Sequence, residues 1–372
     1  MNLKKKRIFI HDSVVTPSGQ RGVDRCYNAY AQALIDTYPG RVFIYSARAA
    51  NINGAKNIRP PSMWAVPSAI SNKIARFDNL YGATLADLSA NVYYSPFYGY
   101  MRTKIPQVFS SYDMIYEKLP QYFPPSAAGN SEHIQEKKAC FERAALIICI
   151  SLNTANDILE MYPNISKDRV KVVYLGADDL FFRGSEAACE NKPYFLYVGN
   201  RDRYKNFLRF IDAFGKSGLK KIFDLQIISP VQNDFTSNEK EIIHRHGLAD
   251  YIKVEFSISD DELKKRYAGA RAFVYPTEYE GFGLPVIEAL ASGTLVLTAN
   301  TSCLPEVGGD ASLYFDPYST DAIADMLKIA SHMTDSERQE RILAGRSWAA
   351  QFTWENSQRA FVRAIQELLN EV

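Results

Sequence analysis

Two glutamates, Glu280 and Glu288, lie eight residues apart on either side of a glycine turn. A carboxylate only accepts hydrogen bonds, so a pair of carboxylates suits the binding of hydroxyl groups. Between them, Gly281 and Gly283 let the backbone approach a ligand closely, and Pro285 favours the first turn of a helix. The start of a helix attracts anions through its free N–H groups and its dipole. Hydroxyl-binding groups beside an anion site indicate a phosphate flanked by sugars, as in a nucleotide sugar.

The chain around this segment alternates between short apolar runs and stretches with helical spacing, such as 23–38 and 132–145. Unbroken apolar runs predict parallel strands that are buried on both faces. In the first half, strands are predicted at 7–12, 41–47, 92–95, 107–113, 146–151 and 170–176. In the second half, they are predicted at 194–199, 224–229, 252–256, 271–275, 294–298 and 312–315. The alternation predicts doubly wound α/β sheets, in which ligands bind at the carboxyl ends of the strands.

The length of the chain, 372 residues, exceeds what one ordinary core supports. Its content of 47% hydrophobic and 23% charged residues is normal for a soluble globular protein. We therefore predict a first Rossmann-like domain at 1–180, a linker at 181–192, a second Rossmann-like domain at 193–350 and a final helix at 351–372.

Charge and cysteine content exclude several other classes of protein. The formal net charge of +1 provides no global field that would attract nucleic acid. The five cysteines are scattered and form no C-x-x-C pair, so neither a zinc site nor a disulfide framework is indicated. No signal peptide or membrane-spanning run is apparent. We expect a cytoplasmic protein, with peripheral contact at the inner face of the membrane left open.

The glutamate pair also resembles the E-x7-E motif of retaining GT-B glycosyltransferases of the family 4 type. The resemblance continues in the family's order through 291–293, 300–307 and 313–317. It covers most of the second predicted domain and the first only in outline. The alternative interpretation is a helix-start glycine turn with two solvated glutamates.

The resemblance implies a GT-B fold, in which two Rossmann-like domains face each other across a cleft. The first domain would bind the acceptor, and the second would bind the nucleotide sugar. The resemblance also implies that the final helix crosses back onto the first domain, which the sequence itself does not show.

The motif assigns a part of the donor to each residue around the glycine turn. Because Glu288 matches the last glutamate of the family's motif, the resemblance implies that it holds the ribose hydroxyls. Glu280 is expected near the donor sugar, where it would position hydroxyls or stabilise positive charge at the anomeric carbon. The backbone of Phe282, Gly283 and Leu284 would face the phosphate or the sugar.

A cationic loop at 197–206 looks like the family's G-x-R-x-x-x-K-N element. The resemblance implies that Arg201 and Lys205 bind the donor's diphosphate. The chemistry agrees, because a diphosphate leaving group gains charge as the glycosidic bond breaks. The chain has no D-x-D sequence, so these cations and the helix start at Pro285 are the natural agents of charge neutralisation. The resemblance and the absence of a D-x-D sequence both predict a site without a metal. The alternative interpretation of Arg201 and Lys205 is that both are solvated loop cations.

The first domain offers weaker candidates. Gly19, in the segment 17–23, loosely resembles the family's glycine loop near diphosphate or acceptor, and an ordinary βα turn is the alternative. Many relatives carry His-Asp where this chain has Tyr112 and Asp113. Asp113 is the candidate for orienting the acceptor hydroxyl, and a helix or turn cap is the alternative. We expect His133, at a helix start, to be exposed and without a role.

These observations predict a metal-independent, retaining glycosyltransferase with no cofactor beyond its donor substrate. It would move a hexosyl unit, mannose or glucose, from a GDP- or UDP-linked sugar to an acceptor. The acceptor would be a saccharide or lipid-linked saccharide in cell-surface polysaccharide or lipid-linked glycan synthesis. Two alternatives are a nucleotide-sugar epimerase of GT-B fold and a non-catalytic GT-B partner subunit.

Overall fold

The computed structural model describes residues 6–11, 22–45, 54–58, 83–184 and 192–371. The chain divides into two compact units. Unit 1 comprises Met1–Tyr174 and Trp354–Val372, and unit 2 comprises Leu175–Thr353. Among the described residues, no helix is both long enough and apolar enough to cross a membrane.

The described part of unit 1 contains a parallel sheet of seven strands in the order β3-β2-β1-β4-β5-β6-β7. Its central strands are almost wholly buried, which explains their unbroken apolar sequences. The strands are β1 (Ile8–His11), β2 (Val42–Tyr45), β3 (Lys56–Ile58), β4 (Val92–Ser95), β5 (Gln107–Ser111), β6 (Leu146–Cys149) and β7 (Val170–Val172). The helices are α1 (Gly22–Thr37), α2 (83–89), α3 (Ile115–Lys118), α4 (Asn130–Arg143) and α5 (Leu152–Met161).

Unit 2 contains a parallel sheet of six strands in the order β10-β9-β8-β11-β12-β13 within its described residues. The strands are β8 (Tyr194–Val198), β9 (Asp224–Ser229), β10 (Ile252–Phe256), β11 (Ala272–Tyr275), β12 (Val296–Ala299) and β13 (Leu313–Phe315). The helices are α6 (Asp179–Phe182), α7 (Phe207–Ser217), α8 (Ser237–His246), α9 (Asp260–Gly269), α10 (Leu284–Ala291), α11 (Leu304–Gly308), α12 (Thr320–His332) and α13 (Asp335–Ala349).

The strand order of unit 2 changes direction between β8 and β11. The chain leaves β8 toward β9 on one side of the sheet and leaves β11 toward β12 on the other. The loops that follow these two strands therefore diverge, which leaves a crevice at their carboxyl ends.

The last helix, α14 (Trp354–Glu371), packs on α1 within unit 1. The rings of Tyr30 and Phe361 stack in parallel with centroids 4.1 Å apart. The Tyr30 hydroxyl also lies 3.0 Å from the Ser357 hydroxyl. The return of the final helix to the first unit, expected from the resemblance, is thus confirmed.

The doubly wound α/β class is confirmed, but several element boundaries differ. Strand β3 was missed because its sequence, Lys-Asn-Ile, is mostly exposed and carries no apolar run. The division of the chain falls at Leu175, earlier than the linker predicted at 181–192, of which 185–191 lie outside the described residues. The reason is that α6 belongs to unit 2, where Phe181 packs edge-on against Tyr267 with ring centroids 6.3 Å apart.

Candidate active site

The loop after β8 carries Lys205 to the crevice of unit 2. Lys205 ends a short 3-10 turn that is closed by Asn206 in the left-handed conformation, with φ 60°. Asparagine tolerates this conformation better than most residues. The Asn206 amide donates to the carbonyls of Pro276 at 3.0 Å and Pro317 at 2.7 Å. These bonds tie the loop after β8 to the loops after β11 and β13.

Lys205 and Glu280 meet at this crevice. The Lys205 Nζ lies 2.6 Å from Glu280 Oε1, and both side chains are largely buried. The Tyr275 hydroxyl donates to the same oxygen at 2.8 Å. Burial lowers the pKa of Lys205, but the charge and hydrogen bond of Glu280, together with Tyr204 and Asp202, outweigh burial and raise that pKa overall. Lys205 is therefore held as a cation beside a fixed carboxylate.

The backbone of Glu280 is also fixed, by the loop after β12. Its N–H donates to the Ser302 hydroxyl at 3.0 Å, and the Cys303 thiol donates to its carbonyl at 3.2 Å. Ser302 adopts a φ of 52°, a conformation that is unfavourable for most side chains. Two neighbouring loops thus set the position of this carboxylate.

Helix α10 begins directly after the glycine turn, as predicted. Gly283 precedes it with a φ of 93°, and Pro285 lies in its first turn. The Phe282 ring is buried against Phe352, with centroids 5.9 Å apart. Leu284 is the first residue of the helix. The Phe282 side chain therefore packs in the interior of unit 2. The backbone of this turn is then the group that can face a ligand.

Glu288 lies one turn inside α10 and is 8% exposed. The Tyr267 hydroxyl donates to its Oε2 at 3.4 Å. Burial, followed by the charge of Glu288, raises the pKa of Tyr267 well above its ordinary value, so the phenol stays protonated. The expected contact of Glu288 with ribose hydroxyls stays a prediction.

Arg201 is neither solvated nor joined to Glu280. Its side chain is 3% exposed, and Nε donates to Glu239 Oε1 at 3.1 Å. Nη2 donates to the carbonyls of Asn233 and Asp234 at 3.1 and 2.8 Å. Glu239 also completes the capping box at the start of α8. Arg201 thus clamps the loop after β9, and its predicted contact with diphosphate remains untested.

In unit 1, Asp113 follows β5 and lies two residues before the start of α3. Its Oδ1 accepts a hydrogen bond from the Ile115 N–H at 3.1 Å, which is the capping role held as the alternative. The Lys137 ammonium donates to the Asp113 carbonyl at 3.2 Å and to Glu117 at 3.0 Å. The acceptor-orienting role of Asp113 stays a prediction. Gly19 lies outside the described residues.

The expectation that His133 is exposed was wrong. His133 is half-buried, and its ring centroid lies 4.6 Å from that of Tyr116 and 5.5 Å from that of Tyr98. Burial, reinforced by the charge of Lys137, lowers the pKa of His133. The four-residue spacing of His133 and Lys137, which places both on one face of α4, was the available sequence signal.

His11, at the carboxyl end of β1, was not singled out from the sequence. Its Nδ1 lies 2.9 Å from the Tyr93 hydroxyl, which donates its own hydrogen to the Gly99 carbonyl at 2.7 Å. Because the phenol has one hydrogen, Nδ1 must be the donor to Tyr93. Burial lowers the pKa of His11 to about 4, so the ring is neutral near pH 7.

Two doubly wound parallel sheets, with a charged crevice where the strand order of the second reverses, define the class as a GT-B protein. Solved structures agree on this fold. Sucrose-phosphate synthase from Thermosynechococcus elongatus superposes with a TM-score of 0.76 at 17% identity, over 99% of this chain and 100% of that one. Anabaena HepE in complex with UDP and glucose superposes with a TM-score of 0.71 at 14% identity, over 97% and 99%.

Residues 178–347, which lie within unit 2, match the family described as Glycosyl transferases group 1. The chain is 27% identical over 295 residues to O-antigen chain mannosyltransferase B of Escherichia coli, covering 76% of each protein. It is 25% identical over 246 residues to MMP alpha-(1->4)-mannosyltransferase of Mycolicibacterium hassiacum, covering 64% of this chain and 58% of that protein. Unit 2 is therefore similar to group 1 glycosyltransferases, and the chain is similar over most of its length to a protein named as a mannosyltransferase.

Proposed function

We propose that the protein is a retaining, metal-independent hexosyltransferase that uses a GDP- or UDP-linked sugar. The observation that carries the proposal is the Lys205–Glu280 pair at the point where the strand order of unit 2 reverses, beside the start of α10. A cation and a helix start suit a diphosphate, and a fixed carboxylate suits sugar hydroxyls. Mannose is the first candidate sugar, since two similar proteins are named mannosyltransferases.

The reaction would begin with departure of the nucleotide diphosphate. Lys205 and the N–H groups at the start of α10 would stabilise the charge that develops on the leaving group. Glu280 would hold hydroxyls of the sugar or stabilise the anomeric carbon as it becomes positive. No nucleophile is proposed, and the acceptor hydroxyl would attack from the face that the diphosphate leaves. Glu288 would hold the ribose.

The acceptor would be a saccharide or a lipid-linked saccharide in polysaccharide synthesis. The support is the name of an O-antigen chain mannosyltransferase that the chain resembles over 76% of its length. Asp113 is the proposed acceptor-orienting residue of unit 1. The cytoplasmic location, the peripheral membrane contact and the absence of a metal requirement stay predictions from the sequence.

A thermal-shift screen of the purified protein with GDP, UDP and ADP, with and without EDTA, tests the proposal. A rise in melting temperature with one nucleotide that survives EDTA would identify the base and support a metal-free diphosphate site. A rise that EDTA removes would contradict metal independence alone. No rise with any nucleotide would contradict the transferase and favour a non-catalytic subunit.

The matching nucleotide sugar then distinguishes a transferase from an epimerase. Transfer to a mannose-containing saccharide with retention at the anomeric carbon, read by NMR, is expected. Conversion of the donor without an acceptor would favour the epimerase. Glu288→Gln should weaken nucleotide binding, whereas the control Glu241→Gln, on the exposed face of α8, should not.

A further inference from the structure

One oxygen of the Glu280 carboxylate receives two hydrogen bonds, and the other receives none from the described residues. Lys205 Nζ and the Tyr275 hydroxyl both approach Oε1, at 2.6 and 2.8 Å. A carboxylate offers about four lone-pair positions, so Oε2 keeps its full capacity to accept hydrogen bonds. The side chain is 14% exposed, so a ligand in the crevice can reach it.

Tyr275 is well placed to fix this orientation. It is the last residue of β11, is 4% exposed, and stacks on Phe273 with ring centroids 5.6 Å apart. Burial, followed by the charge of Glu280, raises its pKa well above the ordinary value. The phenol therefore keeps its hydrogen and donates it from a rigid strand, which holds a geometry more closely than a loop does.

Lys205 contacts Glu280 without using all of its hydrogen-bond donors. Its ammonium has three N–H donors, and the bond to Glu280 uses one of them. The remaining donors are available for a diphosphate. Tyr275 has a single donor, which Glu280 Oε1 takes. The Tyr275 hydroxyl therefore acts on the site through the carboxylate, while the centroid of the Tyr275 ring lies 5.8 Å from Lys205 Nζ and the ring is kept when only the hydroxyl is removed.

We infer that Tyr275 is a positioning residue that turns Glu280 Oε2 toward a hydroxyl of the donor hexose. The inference rests on the proposed function and deepens it by separating sugar recognition from diphosphate binding. Tyr275 should affect affinity for the sugar portion of the donor and leave affinity for the nucleotide diphosphate unchanged.

The test is Tyr275→Phe, which removes the hydroxyl and keeps the ring. Calorimetry would compare the Kd values of GDP with GDP-mannose, and of UDP with UDP-glucose. A hydrogen bond to a charged group contributes about 1.5–3 kcal/mol, so Tyr275→Phe should reduce kcat/KM, measured by steady-state kinetics, about 10- to 150-fold. The affinity gained by adding the sugar to the nucleotide should fall, while the Kd of the nucleotide alone should change less than about twofold.

Tyr194→Phe is the matched control. Tyr194 is 1% exposed in the same sheet and donates to the Arg266 carbonyl at 2.8 Å, away from Glu280. Tyr194→Phe should not alter the difference in affinity between the sugar nucleotide and the nucleotide alone. Against a Glu280→Ala background, Tyr275→Phe should produce no additional loss, because the residue acts through the carboxylate.

The outcomes separate this inference from the proposed function. If the wild-type protein binds neither nucleotides nor sugar nucleotides, the proposed function fails. If it binds both, and Tyr275→Phe either changes nothing or weakens both equally, the positioning role is overturned. Deoxy-sugar nucleotides with the wild-type protein test the role even if the variant does not fold. Removal of one particular sugar hydroxyl should weaken binding to the wild-type protein but should not weaken binding to Glu280→Ala. Equal binding of all deoxy analogues to the wild-type protein would overturn the inference.

Discussion

The Lys205 ammonium lies 2.6 Å from the Glu280 carboxylate, so the two charges compensate each other in the crevice of unit 2. Under the proposed function, an arriving diphosphate would meet a cation that is already oriented and desolvated. Preorganised groups of this kind stabilise developing charge because they need no rearrangement during the reaction. The pair also keeps either charge from being buried alone, which would be costly.

Replacement of Lys205 by methionine should reduce kcat/KM by about 10²–10³-fold, the usual effect of losing one such donor. The control is Lys216→Met on α7, whose exposed side chain pairs with Asp321 at 3.2 Å. Steady-state kinetics with the identified donor would measure both variants. Activity of Lys205→Met equal to that of Lys216→Met would contradict the assigned role.

Replacement of Arg201 by alanine should reduce the free energy of unfolding by about 3–5 kcal/mol, because Glu239 would be left charged and 2% exposed. Arg245→Ala is the control, since its pair with Glu241 is exposed and should contribute about 1 kcal/mol or less. Urea denaturation of unit 2 would measure both. A loss of nucleotide affinity in Arg201→Ala with no loss of stability would instead support the diphosphate role.

The fold class followed from the sequence because buried parallel strands leave unbroken apolar runs. The same rule missed β3, where an exposed edge strand has no need of such a run. The glycine turn and the start of α10 were also predictable, because they depend on residues adjacent in the chain. The partner of Arg201 was not predictable, since Glu239 lies 38 residues away in α8 and nothing in the sequence distinguishes it from other carboxylates.

Tyr275 shows a second limit of sequence-based prediction. It lies five residues from Glu280, yet in the sequence it is only the last apolar residue of a strand. Whether its hydroxyl reaches the carboxylate depends on the path of the turn between them. That path is set by Ser302 and Cys303 from another loop. The candidate residues were therefore predictable, and their hydrogen-bond partners were not.

Acidification should destabilise unit 1 through His11. Its pKa is about 4 in the folded state against an ordinary value of 6.5, so only the unfolded state takes up the proton between these values. Stability is therefore lost as the pH falls from about 6.5 to about 4, by up to about 3 kcal/mol, and no further below that. Hydrogen exchange of β1 and β4 amides across this range would measure the loss.

His11→Asn should remove that part of the pH dependence, whereas His244→Asn, which replaces an exposed histidine in α8, should retain it. An identical pH dependence in His11→Asn and the wild-type protein would refute the assignment.

Replacement of Gly283 by alanine should lower both stability and nucleotide affinity. Its φ is 93°, and an added Cβ would lie 3.0 Å from Leu304 Cδ2. Gly218→Ala is the control, because its φ is 75° and an added Cβ meets nothing within 4 Å. Both should lose about 1–2 kcal/mol of stability through strain. Only Gly283→Ala should shift the start of α10 and weaken nucleotide binding, and equal affinities in the two variants would argue against a ligand at this turn.

The stacking of Phe361 on Tyr30 has a consequence for synthesis on the ribosome. Helix α14 is translated after the whole of Leu175–Thr353, although it packs with residues that are translated near the beginning. Domains usually complete their folding in the order in which they emerge. When the whole of the second unit has been translated, the first unit still lacks the helix that covers Tyr30. The nascent first unit must therefore keep that apolar surface uncovered, and available to chaperones, until the last helix emerges.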